Sequence, residues 1–218
     1  YWFFIFLIVS VSFNCQKEID YNNPNEPGIV NENPVTSHLQ GNIVDEHGRP
    51  VKEVTIKVGG KTAVTNGKGY FRITNAPLDK KTTVITAEKS GFFKAFRILS
   101  ATSGTNQIMI RLLPRKLAGS VSNRTGGGVR LSNGSMIELP AEGVVKTSGA
   151  SYNGLINVYA AYIDPTNLAI GQVVPGSFLA DDKDNKRVIL TSFGMLAVEL
   201  ETASGEKLQV ATGKSAKL

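Results

Sequence analysis

The sequence predicts an all-β protein in which two tandem antiparallel β-sandwich domains follow a signal peptide and a flexible tether. Three observations support this fold class. The chain starts with an uninterrupted apolar run and continues into a segment rich in Asn, Pro and Glu. From residue 37 onward, short runs of alternating apolar and polar residues are separated by turn residues. No amphipathic helical pattern interrupts the first of these β-rich blocks.

Residues 1–14 are predicted to belong to a signal peptide. Residues 1–9 are all apolar or aromatic, and the first charged residue is Lys17. A membrane-spanning helix needs about 20 apolar residues, so this run is too short for a permanent span and suits the core of a signal peptide. Because no initiator Met or basic segment precedes it, we expect the sequence to start within that peptide.

Cys15 is the single cysteine and stands directly after the apolar run. This placement resembles the lipobox of bacterial lipoproteins, in which the cysteine after the cleavage site carries the acyl chains. Phe13 and Asn14 depart from the usual small residues, although surface lipoproteins of the Bacteroidota accept looser versions. The resemblance implies a lipid anchor in the outer membrane with exposure at the cell surface, and residues 16–20 resemble the export signal of such proteins. The alternative is a chance cysteine.

Residues 15–36 are predicted to form a tether rather than a folded element. The segment has almost no apolar periodicity and cannot bury enough surface to offset its ordering entropy. Pro24, Pro27 and Pro34 favour an extended backbone, so the tether should hold the folded part away from the membrane.

Residues 37–114 alternate in the pattern of antiparallel strands with one solvated face. The acidic loop from Asp45 to Gly48 is followed by Pro50, which sets φ where the next segment starts. Gly59 with Gly60, and residues 66–69, are both predicted to form hairpin turns. The predicted strands cover residues 39–44, 54–58, 62–65, 69–74, 83–88, 93–99 and 107–112.

This first block resembles the carboxypeptidase regulatory-like domain, a seven-stranded transthyretin-like sandwich. The resemblance rests on the runs QGNIVDEHGRPVKEVTIKV, TAVTNGKGYFRITNAP and VITAEKSGFFKAF. It implies a spacer or interaction module without catalytic residues of its own. The matching positions are Gly41, Asp45, Gly48, Pro50, Val51, Val54, Thr65, Gly69, Phe71, Ala87, Gly91 and Phe92.

Residues 115–218 are predicted to form the second β-rich domain. Asn133 with Gly134, and Ser204 with Gly205, are hairpin signals. The runs GGGVRLSNGSMIELPAEGVV and YNGLINVYAAYIDPTN resemble a β-domain of the cartilage intermediate layer protein and of bacterial surface proteins, which implies no enzyme activity. Since such domains tend to continue further, we expect Leu218 to be a truncation point. The predicted strands cover residues 118–122, 128–131, 136–139, 154–163, 188–192, 196–201 and 208–211.

Charge is concentrated in the first domain. Residues 37–114 contain twelve Lys and Arg against five Asp and Glu, a net charge of +7, whereas residues 115–218 have +2 and residues 15–36 have −3. One interpretation is attraction to polyanions. The other is a set of solvated strand faces and protected edges, which we favour because no basic run exceeds two residues and no aromatic platform is interleaved.

The chemistry-bearing residues predict neither an enzyme nor a bound metal or cofactor. His38 and His47 are interpreted as loop residues, since no second cluster of metal ligands accompanies them. Asp181, Asp182 and Asp184 could supply oxygens to Ca²⁺, but the EF-hand spacing is absent and a solvated hairpin turn is the favoured interpretation. The glycines 126–128 are not followed by a P-loop lysine and suit a turn or bulge.

The sequence predicts a non-catalytic cell-surface lipoprotein that acts as a binding or structural module. Its expected partners are the membrane, through the lipid anchor, and a glycan or surface protein, with no nucleic acid. Two alternatives stay open. The domains could be a spacer or accessory part of a larger enzyme or nutrient-uptake system, or the basic first domain could bind polyanions.

Overall fold

The computed structural model describes residues 33–166, 170–174, 179–184, 186–189 and 194–218. These residues form mostly antiparallel sheets joined by turns, with one four-residue helix, which confirms the all-β class. The predicted signal peptide, Cys15 and most of the tether lie outside the described residues. Among the residues that are described, no helix is long and apolar enough to cross a membrane.

The first half contains all seven predicted strands, arranged in two sheets. The three-stranded sheet has the order β4-β1-β7, and the four-stranded sheet has the order β3-β2-β5-β6. The strands are β1 (Pro34–Val44), β2 (Thr55–Val58), β3 (Lys61–Val64), β4 (Tyr70–Asp79), β5 (Thr83–Glu88), β6 (Ala95–Leu99) and β7 (Thr105–Arg111).

One pairing in the first half differs from the purely antiparallel prediction. β1 and β7 run parallel, with Gly41 opposite Ile108, because the last strand of this half returns beside the first in the same direction. Gly41 allows the close approach of the two strands, since a Cβ there would collide with the Ile108 carbonyl oxygen. Alternation of apolar and polar residues reports burial, and it does not distinguish parallel from antiparallel partners.

The core of the first half lies between its two sheets. Phe71 is 1% exposed and fills the centre, as its inward position in β4 predicts. Burying one such side chain stabilises the fold by about 1.5–3 kcal/mol. The largest fully buried aliphatic side chains around it are Leu39, Ile43, Ile56, Leu78, Ile85, Ile110 and Leu112.

The predicted turns have two different outcomes. Gly59 and Gly60 both have positive φ and join β2 to β3 as a two-residue hairpin, as predicted. Residues 66–69 do form a tight turn, closed by the Asn66 side-chain oxygen, which accepts the Lys68 and Tyr70 amides. This turn is not a hairpin, because β3 and β4 belong to different sheets. The prediction of a hairpin there was wrong, since asparagine capping closes a corner as well as a hairpin.

The second half contains a five-stranded sheet with the order β11-β16-β15-β12-β8, and two hairpins, β9-β10 and β13-β14. The Asn133–Gly134 and Ser204–Gly205 hairpins are as predicted. The sequence did not predict β11 and β13, which are only three residues long. The elements are β8 (Leu117–Ser122), β9 (Gly127–Arg130), β10 (Met136–Leu139), β11 (Val144–Lys146), β12 (Leu155–Ile163), α1 (Ile170–Val173), β13 (Leu179–Asp181), β14 (Arg187–Ile189), β15 (Met195–Glu201) and β16 (Lys207–Val210).

The second half has its own core, which the five-stranded sheet shares with the β9-β10 hairpin. Ile137 and Leu139 of that hairpin pack against Ile156 and Val158 of the sheet. Asn123 is 2% exposed at the end of β8, where its amide nitrogen donates to the Val144 and Tyr152 carbonyls and its oxygen accepts from the Val144 amide. The Asn123 side chain therefore provides hydrogen-bond partners for these backbone groups at the corner of the sheet.

The two halves meet where α1 lies against β7. Val173 and Val174 pack with Leu113 from the first half and with Ile163 from the second half. Arg97 of β6 is only 5% exposed, and its guanidinium donates to the Gln172 and Val174 carbonyls beside the C-terminus of α1. A cation suits the C-terminal end of a helix, where carbonyl groups lack partners. The contact therefore connects the two halves of the chain.

Candidate binding face on the three-stranded sheet

The outer face of the three-stranded sheet is lined mainly by polar side chains, with one exposed apolar residue, Met109. In β1, buried Leu39 and Ile43 alternate with the half-buried side chains of Gln40 and Asn42. Strand register brings matching side chains from β4 and β7 into two rows across the sheet. One row is Arg72, Gln40 and Gln107, and the other is Tyr70, Asn42 and Met109. These six residues are called the polar face below.

The polar face spans three strands. Neighbouring strands lie about 4.8 Å apart and successive same-face residues about 6.6 Å apart, so two rows offer regularly spaced groups over about 10 Å of width. The Tyr70 hydroxyl donates to the Gln40 side-chain oxygen at 3.1 Å, which orients both groups. Arg72 and Gln107 are exposed, and neither side chain has a hydrogen-bond or ion-pair partner among the residues described. Their donors and acceptors are available to a ligand.

None of the six residues of the polar face carries a carboxylate, and the carboxylates of residues 37–114 are engaged elsewhere. Asp45 pairs with Arg49 at 2.7 Å, Glu53 with two lysines and Glu88 with two lysines. Burial raises the pKa of Asp45, but hydrogen bonds from Arg49 and from the His47 amide outweigh it and lower that pKa overall. Amide hydrogen bonds from Asn33 and Thr82 likewise lower the pKa of Asp79.

The outer face of the five-stranded sheet has a different character. Arg115 lies over the Tyr159 ring, 3.5 Å from the ring centre, and its guanidinium contacts Glu199 and Glu201 at 2.5 Å. Burial alone would lower the pKa of Arg115, but hydrogen bonds to the two glutamates raise it. Lys207 contacts the same Glu199 oxygen at 2.6 Å. The charges on this face neutralise one another, and Arg115 covers the aromatic ring.

The site candidates from the sequence occupy separate places. His38 lies within β1, so its interpretation as a loop residue was wrong; its Nδ1 accepts from the Asn75 amide at 3.3 Å. His47 is in the turn after β1, as predicted. Asp182 uses one side-chain oxygen to accept the Asp184 and Lys186 amides in the β13-β14 turn. The side chain of Asp181 and the lipidation candidate Cys15 lie outside what the structure describes.

No cation site is indicated by this arrangement. Within the described ranges, no three His, Cys, Asp or Glu residues are grouped so that they could hold a metal ion. The weak calcium candidates therefore stay predictions, while the hairpin turn predicted around them is present between β13 and β14.

Sequence reasoning did not single out the polar face. A signal was present, because polar residues alternate with the apolar positions that were used to predict β1 and β4. The alternation predicts which residues of a strand face outward. Which of these residues become neighbours across strands depends on the register of strand pairing. The register of β1 with β7 could not be anticipated, because these strands are far apart in sequence and pair in parallel.

Comparisons with known proteins leave the family undetermined. No family model matches the sequence, and no curated protein matches it. The resemblance to the carboxypeptidase regulatory-like domain therefore stays a prediction, as does the resemblance to the cartilage intermediate layer protein domain.

Several solved β-rich structures are weakly similar to this chain. A cohesin–X-dockerin complex from Acetivibrio cellulolyticus aligns at 15% identity with a TM-score of 0.32, covering 38% of this chain and 61% of that one. A Bacteroides uniformis protein with a provisional assignment to carbohydrate binding aligns at 12% identity with a TM-score of 0.30, covering 84% and 74%. A streptococcal ancillary pilin aligns at 12% identity with a TM-score of 0.29, covering 84% and 58%. Likeness at this level carries no information about a ligand.

Proposed function

We propose that this chain is a non-catalytic binding module of the bacterial cell surface, lipid-anchored through Cys15 in the outer membrane, and that it recognises a glycan through the polar face. The observation that carries the proposal is the pair of rows across β4, β1 and β7. Glycans present hydroxyl groups at regular spacing, and amide side chains on a rigid sheet can donate to and accept from them. Arg72 and Gln107 have no competing partners among the described residues.

The test is affinity measurement on the full chain with a panel of soluble polysaccharides, both neutral and acidic. The double variant Gln40→Ala/Gln107→Ala should weaken binding of the preferred polymer about tenfold or more, because each lost hydrogen bond contributes about 1 kcal/mol. The matched control is Gln209→Ala, which removes an exposed amide from β16 in the other half. Binding that is equally unaffected by both changes would contradict recognition through the polar face.

The proposed anchor has a separate test. Intact mass and membrane partitioning of the natively expressed protein should show a lipid-sized mass increment, and Cys15→Ser should abolish both the increment and the partitioning. A soluble, unmodified chain would contradict the lipid anchor but would not bear on the proposed recognition through the polar face.

A second candidate function is that of a spacer in a larger surface system. It is favoured by the junction, where Arg97 and the residues around α1 connect the two halves through buried contacts. A spacer needs a fixed orientation, so Arg97→Ala should broaden the range of distances between spin labels placed in the two halves. An unchanged distance distribution would argue against this role.

A further inference from the structure

Exposed basic side chains that lack a hydrogen-bond or ion-pair contact cluster between residues 61 and 81 of the first half. The acidic residues of residues 37–114 are engaged: four pair with basic side chains, and Asp79 accepts backbone amides. Five basic side chains, by contrast, are exposed and make no hydrogen bond or ion-pair contact with the described residues, although the charge of Lys81 helps to lower the pKa of Asp79. One of them, Lys61, lies in β3 of the four-stranded sheet. The other four, Lys68, Arg72, Lys80 and Lys81, lie in β4 or next to its ends and are called the basic edge below.

The basic edge starts at the polar face and extends away from it along β4. Lys68 precedes β4, Arg72 lies within it, and Lys80 and Lys81 follow it. β4 is the outermost strand of the three-stranded sheet, and its ten residues span about 33 Å at 3.3 Å per residue. Arg72 belongs to both surfaces, because it stands in the same row as Gln40 and Gln107. A chain lying along the sheet would therefore meet amides and cations together.

Resting on the proposed function, we propose that the ligand of the polar face is an acidic polysaccharide. Its carboxylate or sulfate groups pair with the basic edge while its hydroxyl groups bind the amides of the polar face. Charge complementarity selects this ligand: a neutral glycan would leave the four exposed cations of the basic edge unused, and the polar face has no carboxylate to repel an anion. Nucleic acid fits less well, because Tyr70 is half-buried, hydrogen-bonded to Gln40, and offers no open stacking platform.

The experiment compares ligands that differ only in charge. Binding of polygalacturonate to the full chain is measured beside its fully methyl-esterified form, with chondroitin sulfate, an oligothymidine and phosphatidylglycerol vesicles as further probes. We expect polygalacturonate or chondroitin sulfate to bind at least tenfold more tightly than the ester, with an affinity that falls as salt is raised. Arg72→Gln should weaken acidic binding about two- to fivefold, as loss of one exposed ion pair does.

A charge-matched control separates local pairing from net charge. Arg124→Gln removes one exposed cation from the loop after β8, so it changes net charge equally and should leave the affinity unchanged. The triple variant Arg72→Gln/Lys80→Gln/Lys81→Gln should lose at least tenfold, and its circular dichroism shows whether it stays folded.

The failure of this inference can be told apart from failure of glycan recognition. Equal binding of the ester and the acid, or an Arg72→Gln effect no larger than that of Arg124→Gln, would overturn the acidic ligand and leave the proposed function standing. Preference for the oligonucleotide or the vesicles would overturn the inference as well. If no polysaccharide of either charge bound, the proposed function itself would fall.

Discussion

The outer faces of the three-stranded and five-stranded sheets both carry polar side chains but differ in what those side chains contact. On the five-stranded sheet, Arg115, Glu199 and Lys207 satisfy one another. On the three-stranded sheet, the Arg72 and Gln107 side chains have no hydrogen-bond or ion-pair partner among the described residues. A polar face whose groups are mutually paired contributes to stability, whereas one with free groups is available for recognition.

The contrast extends to the position of each face in the chain. Arg115 follows directly after the first half, its amide donates to the Gly91 carbonyl, and its side chain reaches across the second sheet. The paired face therefore helps to hold the junction, while the polar face takes no part in it. Substitutions on the outer face of the five-stranded sheet should therefore lower stability and leave binding unchanged. Matched substitutions on the polar face should weaken binding and leave stability unchanged.

The largest expected difference separates two asparagines. Asn123→Ala leaves the Val144 amide and two carbonyls without their partner, and should lower the free energy of unfolding by about 3 kcal/mol, at about 1 kcal/mol per hydrogen bond. Asn42→Ala, on the polar face, should change it by less than about 0.5 kcal/mol. Urea unfolding followed by circular dichroism measures both. Equal losses would show that the polar face is also structural.

Removal of the buried arginine at the junction should have the next largest effect. Arg97→Ala leaves the Gln172 and Val174 carbonyls unpaired, and we expect a loss of about 2 kcal/mol. Part of the gross loss is offset, because burial disfavours the charged guanidinium and lowers the pKa of Arg97 to about 10. Arg124→Ala is the exposed control in the same urea experiment. An effect below 0.5 kcal/mol, the ordinary range for surface changes, would mean that the junction is held by apolar packing alone.

A smaller effect is expected where the two faces are compared by the same substitution. Arg115→Gln removes two ion pairs and the contact with the Tyr159 ring, and should cost about 1–2 kcal/mol after allowance for partial exposure. Arg72→Gln should leave the unfolding midpoint unchanged and act on ligand affinity only. Thermal unfolding of both variants, at low and high salt, makes the comparison. A destabilised Arg72→Gln protein would contradict the assignment of that residue to recognition.

Most of the strands were predictable from the sequence because each is a local pattern. The seven strands of the first half are all present, and Gly59, Gly60 and Gly134 adopt the positive φ values that their turns require. The prediction missed β11 because it is three residues long and is fixed by the distant Asn123 side chain. Such an element has no periodicity of its own.

The candidate site was much less predictable, for a physical reason. Gln40 and Gln107 are 67 residues apart in the numbering, and they meet because β1 and β7 pair in parallel. The choice of strand partner depends on the whole core, so no local pattern contains it. The positive charge of the first half was visible in the sequence. Which of its cations are paired could be determined only from the structure, where the contacts of each carboxylate are known.

The smallest expected effect concerns pH and again separates the two halves. Amide hydrogen bonds to the Asp79 carboxylate hold its pKa below the ordinary value of 3.8. The ionised form is favoured in the folded state, so this stabilisation is fully present above pH 3.8 and is lost as the pH falls through the folded pKa. Asp79→Asn should therefore lower stability at pH 7 and flatten its decline below pH 4. Asp184→Asn, an exposed change in the second half, is the control, and parallel pH profiles of the two variants would refute the role given to Asp79.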